Sequence, residues 1–266
     1  MSRTWEITWF QNFKLLFADK TFLTAVKNTW QLWLMNFIPQ LGVAFLLAIW
    51  FTNLRLKIKG VGVFRMIFYM PNLMMASAVA ALFFSLFSFY GPVNQFLVRS
   101  GIIPEAIDFI RRPAVMRGLV VFIQWWMWFG QTTILLMAAM TAISNSLYEA
   151  ALVDGASSLH MFWHITLPLI KPVLIYVLVT SLVGGMQMFD IPYLLTDGRG
   201  SPNNSILTNT INMYMKFHSS QGHIGAASAV GLVVFVMTSV VALLIFFLLR
   251  EKQDEPTRRL AQEKKR

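Results

Sequence analysis

Long apolar stretches separated by shorter polar ones occupy most of this chain, near Trp30 to Phe51, Phe64 to Phe89, Leu119 to Ala142, Val173 to Phe189 and Ala226 to Leu249. A helix needs about 20 apolar residues to cross a hydrocarbon core of ~30 Å, so the pattern predicts roughly five membrane spans. Backbone groups in lipid must be satisfied within their own segment, and these runs are too long and too poorly alternating for barrel strands. The expected fold class is all-α, a polytopic membrane helical bundle.

Between the third and fourth stretches, residues 143–171 interrupt the apolar pattern, and the run from Glu149 to Pro168 reads EAALVDGASSLHMFWHITLP. Ser146 and Glu149 have capping-box spacing, which predicts a short helix starting there. Asp154 and Gly155 supply turn chemistry, with glycine free to take a left-handed backbone, and Ser157 or Ser158 can cap a second short helix. Pro168 and Pro172 are expected to stop that helix and restart the chain as the next span. The predicted insert is a helix-turn-helix lying at the membrane surface.

Composition agrees with the pattern: 56% hydrophobic residues, 13% charged residues and a mean hydropathy of +0.59 give more apolar surface than one soluble core could hide. With no cysteine in the chain, a disulfide framework and a thiolate metal site are excluded, although the compartment is left open. The net charge of +10 does not point to nucleic acid, because its densest clusters flank spans, where the positive-inside rule accounts for them.

Those clusters set the orientation. Arg55, Lys57, Lys59 and Arg65 crowd the first link, and Arg250, Lys252, Arg258, Arg259, Lys264, Lys265 and Arg266 follow the last span, so both places are expected to be cytoplasmic. Alternation then puts the 143–171 insert inside and residues 90–117 and 190–225 outside. It also leaves residues 1–24 outside, with Arg3, Lys14 and Lys20 translocated behind no span, and WEITWFQNFKLLF is too polar for a signal-peptide core. A further segment upstream is the expectation, with a native five-span form as the alternative.

The pattern E-A-A-x-x-D-G-A, with I-x-L-P at 165–168, resembles the EAA loop of permease subunits of binding-protein-dependent ABC importers. Glu149, Ala150, Ala151, Asp154, Gly155, Ala156, Ile165, Leu167 and Pro168 all stand where that pattern wants them. FQNFKLLFADKTFLTAVKNTW, FRMIFYMPNLMMASAVAALFF and MQMFDIPYLLTDGRGSPNNS are similar to segments of the carbohydrate branch, the first membrane subunit of maltose and glycerol-phosphate importers. Such subunits usually carry one more span before the FQNFKLLF-like segment, in agreement with the charge argument, and their outer loop more often reads GGP than the GRGSP found here.

The resemblance implies a single ABC-importer transmembrane domain over 1–266, with residues 143–171 as the cytoplasmic coupling loop and 250–266 as a cytoplasmic tail. It implies that the loop docks into a cleft of cytoplasmic ABC ATPase subunits, that a second permease subunit completes the pathway, and that an extracytoplasmic solute-binding protein delivers a carbohydrate substrate. It implies a multi-pass protein of a bacterial or archaeal inner membrane, in contact with membrane lipid, and neither a cofactor nor nucleic acid is expected. The chain is not expected to be an enzyme: no G-x-x-x-x-G-K-[ST] loop is present to cradle nucleotide phosphates, so hydrolysis belongs to another polypeptide.

Polar side chains deep in a span are costly enough to suggest purpose. Gln124, Trp128 and Gln131 share one helix face, offering amide hydrogen bonds beside an aromatic plane, a combination suited to sugars. Gln187, with Phe189 and Asp190 near the outer end of the next span, can complete such a site. The alternative is that these glutamines glue neighbouring helices together, the role small-xxx-small spacing suggests for Ser181 and Gly185. His160 and His164 lie four apart, but HMFWH lacks the glutamate of a hydrolytic H-E-x-x-H site, so no metal is expected. With no charged residue deep in a span, proton or sodium coupling has no support. Two other readings stay open: a permease for another solute, such as an amino acid or phosphorylated polyol, and a self-contained channel or membrane scaffold in which the insert merely caps two helices.

Overall fold

The computed structural model describes residues 10–53, 56, 58–219 and 223–250, and among these it contains helices and turns but no strand. Helix α1 (Gln11–Ala18) ends at Asp19, which starts α2 (Lys20–Thr52) by accepting the Thr21 amide on its Oδ1 at 2.8 Å. This acidic cap at a helix N-terminus explains why α2 begins ahead of its apolar stretch at Trp30. The predicted second span, Phe64 to Phe89, is not one helix. It divides into α3 (Val61–Tyr69), a 3₁₀ turn at Met70–Leu73 and α4 (Ala76–Phe87), because Pro71 withholds an amide where an α-helix would need one. Helix α5 (Pro92–Arg99) follows a tight turn, and α6 (Pro113–Thr141) crosses the bundle in a single run.

The insert departs from its expected form in two places. Helix α7 (Asn145–Val153) starts from Ser144, not Ser146, and no side chain caps it; the Ser144 and Ser146 hydroxyls bond each other at 2.8 Å. Glu149 thus lies past the first turn, too far along α7 to close a capping box. Further on, α8 (Ser158–Met161) does not stop at Pro168. It runs through a π turn at Phe162–Thr166 directly into α9 (Leu167–Met186), so the chain stays helical across the proline. Pro168 falls in the first turn of α9, where its missing amide and its ring cost little, and the wider π turn lies immediately before it. Pro172 is accommodated inside α9.

Helices α10 (Asp190–Thr196) and α11 (Asn209–Phe217) then form a layer over one end of the bundle, and α12 (Ile224–Leu249) closes the described chain. The layer is held by polar contacts to α2 and α6. Asn28 Nδ2 donates to the Leu207 carbonyl at 3.3 Å, the Asn209 amide donates to Thr29 Oγ1 at 2.9 Å, and Arg117 Nε donates to the Ser205 carbonyl at 2.9 Å. At the opposite end, the last turns of α2 and α6 meet α7, α8 and the π turn around a cavity of about 330 Å³. The insert and the 190–217 layer thus occupy opposite ends, as the charge-based topology requires. Arg3, Arg55, Lys57, Lys252, Arg258, Arg259, Lys264, Lys265 and Arg266, which support that topology, and the predicted tail after Arg250 lie outside the described residues.

Helix α2 packs along α6. Near the layered end, Leu32 joins Met116, Val120 and Ile123, while Ala44 and Ala48 meet Leu136, Met137 and Met140 near the insert. Alanines four apart let two backbones approach closely, which matters where lipid removes any hydrophobic drive between helices. Five helical stretches are long and apolar enough to cross a membrane, and α12 is almost wholly unburied, with Leu232, Phe235, Leu243 and Phe247 facing outward.

One ion pair ties α11 to the start of α2: Lys216 Nζ lies 2.6 Å from Asp19 Oδ2. Burial alone would raise the Asp19 carboxyl, but the Lys216 hydrogen bond and charge and the Thr21 amide outweigh it and hold it below its ordinary value. A depressed folded-state pKa stabilises above the unfolded value, near 3.9 for aspartate, and the contribution is lost as pH falls through the folded value. Asp19→Asn should therefore lower thermal stability at neutral pH by a margin that shrinks as pH falls below the ordinary aspartate value, as melting in detergent across the acid range would show.

Candidate functional site

A cavity of about 270 Å³ opens between α2, α6 and α9, and all five residues expected in the substrate pathway line it: Gln124, Trp128, Gln131, Gln187 and Asp190. Gln124, Trp128 and Gln131 stack on one face of α6, while Gln187 and Asp190 come from the break between α9 and α10. The side-chain amides of Gln124, Gln131 and Gln187 make no hydrogen bond to another described residue, which sets them apart from helix-gluing amides. Gln40 does act that way, donating from Nε2 to Thr132 Oγ1 at 2.8 Å.

Sequence reasoning missed the contribution of α2, whose Trp33, Asn36 and Gln40 form the facing wall. The signal was present, since these residues recur at helical spacing inside an apolar run. Trp33 is seated on Ser181 and Gly185, donating from Nε1 to Ser181 Oγ at 3.1 Å, with its ring over the glycine Cα. The packing role expected of that small pair is thus filled by an indole. Asn36 is only 6% exposed, and its Oδ1 accepts from no described group. Trp128, Tyr176 and Thr180 are exposed on the flank of the cavity, so this side of the pathway is open in the isolated chain.

The second feature is the turn in the insert. At the end of α7 the Ala156 amide donates to the Ala151 carbonyl at 2.9 Å and the Gly155 amide to Leu152 at 3.1 Å, with Gly155 at φ +76°. This paired pattern is the Schellman stop, which requires a left-handed residue and so favours glycine. Ser157, not Ser158, caps α8, accepting the His160 amide at 3.2 Å. Tyr148 and Thr166 join their hydroxyls at 2.9 Å, fastening α7 to the π turn.

Helix α7 buries none of its residues: Glu149, Ala150 and Val153 are exposed, and the Glu149 carboxylate makes no hydrogen bond or ion pair to a described residue. Asp154 and Gly155 are exposed at the turn and Ala151 and Ala156 half-buried beside it. Ile165, Leu167 and Pro168 lie on the other leg, in the π turn and the start of α9. The His160 and His164 rings stack with centroids 4.0 Å apart, and His164 Nδ1 faces the His160 carbonyl at 3.1 Å.

Residues 29–252 match the family described as binding-protein-dependent transport system inner membrane component. The lactose transport system permease protein of Rhizobium radiobacter is 33% identical over 242 residues, covering 91% of this chain and 80% of that protein. An arabinooligosaccharides transport system permease protein of Bacillus subtilis is 31% identical, covering 85% and 71%. Among solved structures, a bacterial ABC transporter involved in the import of the acidic polysaccharide alginate is similar at 26% identity with a TM-score of 0.79, covering 95% of this chain and 86% of that one.

Proposed function

This chain belongs to the family of binding-protein-dependent transport system inner membrane components, and from that membership we propose that it is the permease subunit of a bacterial or archaeal ABC importer for carbohydrate. It is a multi-pass membrane protein that works with a solute-binding protein, and its relatives move lactose and arabinooligosaccharides. Hydrolysis of ATP takes place on separate subunits. A second permease covers the flank where Trp128, Tyr176 and Thr180 stand exposed, since alternating access needs two halves about one site.

The observation that carries the coupling role is the unpartnered α7. A helix whose every residue is at least partly exposed, with a free carboxylate at Glu149 and small side chains at Ala150 and Ala151, offers a close approach and a charge-assisted bond to a basic group on another subunit. Gly155 turns the chain back beneath it. Gln124, Trp128, Gln131, Gln187 and Asp190 form the substrate pathway, with amides for hydroxyl groups and an indole face for a sugar ring.

Extraction of the tagged subunit from its own membrane tests the assignment. A phosphate-loop ATPase and a second permease should copurify, and ATP hydrolysis should rise with binding protein and sugar; a lone, ATP-inert chain would favour the channel or scaffold. Within the active complex, Gln131→Leu should raise the half-saturating sugar concentration about three- to tenfold, the worth of one hydrogen bond. An unchanged uptake curve would remove Gln131 from the pathway.

A further inference from the structure

We propose that the cavity between α2, α6 and α9 takes uncharged glycans and rejects anionic ones, with Asn36 and Asp190 as the hydrogen-bond acceptors that set this preference. The proposal deepens the carbohydrate-permease reading and rests on it. Relatives do not decide the matter, since lactose and arabinooligosaccharides are uncharged whereas alginate is acidic.

The charge of the lining is one-sided. Among the described residues of this chain, no lysine, arginine or histidine lines the cavity, and its ionic group is the Asp190 carboxylate. Recognition of a uronate, sulfonate or phosphate calls for a cation, most often a forked arginine. Arg117 lies seven positions before Gln124 on α6, and its guanidinium is already engaged, donating from Nε to Ser205 at 2.9 Å and toward Asn28 Oδ1 at 3.4 Å. The start of α10 faces the cavity, but Asp190 itself occupies that first turn. A ligand carboxylate would therefore leave water for a site where the nearest fixed charge repels it.

The second observation concerns Asn36. Its Oδ1 is buried and accepts no hydrogen bond from a described residue, which leaves a costly acceptor beside the cavity. Sugar hydroxyl groups donate as well as accept, so a neutral glycan satisfies Asn36 and Asp190 together while its other hydroxyls meet the amides of Gln124, Gln131 and Gln187. Trp128, exposed at the cavity, supplies an apolar face for the ring. An ionised uronate group only accepts, and it can satisfy neither oxygen.

The test uses the complete transporter in lipid discs, with binding followed by tryptophan fluorescence, for lactose, maltose and arabinobiose against digalacturonate and a mannuronate disaccharide. At least one neutral sugar should bind tenfold or more tighter than either uronate. Asp190→Lys should narrow or reverse that ratio, a readout that general loss of fold does not produce. Asn36→Leu should weaken neutral-sugar binding about fivefold, and Asn36→Asp, which keeps an acceptor, should recover part of it. A uronate bound as tightly as the best neutral sugar would overturn the proposal and leave the importer assignment standing. Failure of the transporter to bind any of these sugars, with no carbohydrate-dependent ATP hydrolysis, would overturn the carbohydrate reading and the proposal with it.

Discussion

Replacing Gly155 by valine should reduce ATP-driven uptake a hundredfold or more while the helices still insert and pack. Gly155 holds φ at +76° where the Schellman stop turns the chain, and its site is otherwise open, so backbone geometry and not space is the obstacle. A β-branched residue held in that region costs about 1–3 kcal/mol, enough to favour a different turn. The new turn would carry α7 away from the docking position proposed for it, whereas the bundle core would hardly register the change, because α7 buries no residue. Glu149→Ala should give a loss of the same kind, about ten- to a hundredfold, in line with ~1.5–3 kcal/mol for a hydrogen bond to a charged group. Uptake into vesicles, measured beside the melting temperature and the recovery of copurifying subunits, separates the two effects. Full uptake by Gly155→Val would show that the turn is not the coupling element.

Gly185→Val should be a severely damaging change at the cavity. A Cβ at Gly185 would lie 2.0 Å from Cδ1 and 2.5 Å from Cγ of Trp33, atoms at the base of the indole that cannot swing aside as a chain end would. Trp33 is also held from behind, stacked on Phe37 with centroids 5.4 Å apart and edge-on to Trp30 at 5.6 Å. Overpacking of a filled site costs roughly 1–3 kcal/mol, and here it would push a cavity wall into the cavity. The variant should melt at lower temperature and lose sugar uptake together. Pairing it with Trp33→Ala, which vacates the contested volume, should restore stability in part. If the double variant were no more stable than expected from the two single ones, the contact would not be the cause.

Much of this organisation was legible in the chain because lipid enforces a simple rule: apolar length marks a span. The stretches around Trp30, Leu119 and Ala226 became α2, α6 and α12, and the spacing of Gln124, Trp128 and Gln131 put them on one wall of a real cavity. What failed were statements about proline and about caps. Pro71 broke a stretch that hydropathy alone joins, whereas Pro168 did not break the helix expected to stop there; the difference lies in the turn preceding each proline, which hydropathy does not encode. Ser146 had the spacing of a cap, but two neighbouring hydroxyls satisfied each other instead. The α2 wall was equally legible, since Asn36 and Gln40 are polar residues in an apolar run and carry the same meaning as the glutamines of α6.

The unbroken passage from α8 through the π turn into α9 has a mechanical consequence. The 20 residues of α9 span about 30 Å as a helix, and they join the foot of the insert to Tyr176, Thr180 and Ser181 at the cavity. Because the passage is helical throughout, a tilt imposed at the foot is carried along it toward the cavity, with the π turn and Pro172 as the places where the axis can bend. Under the proposed importer reading, this continuous helix links the insert to the cavity without a chain of side-chain relays.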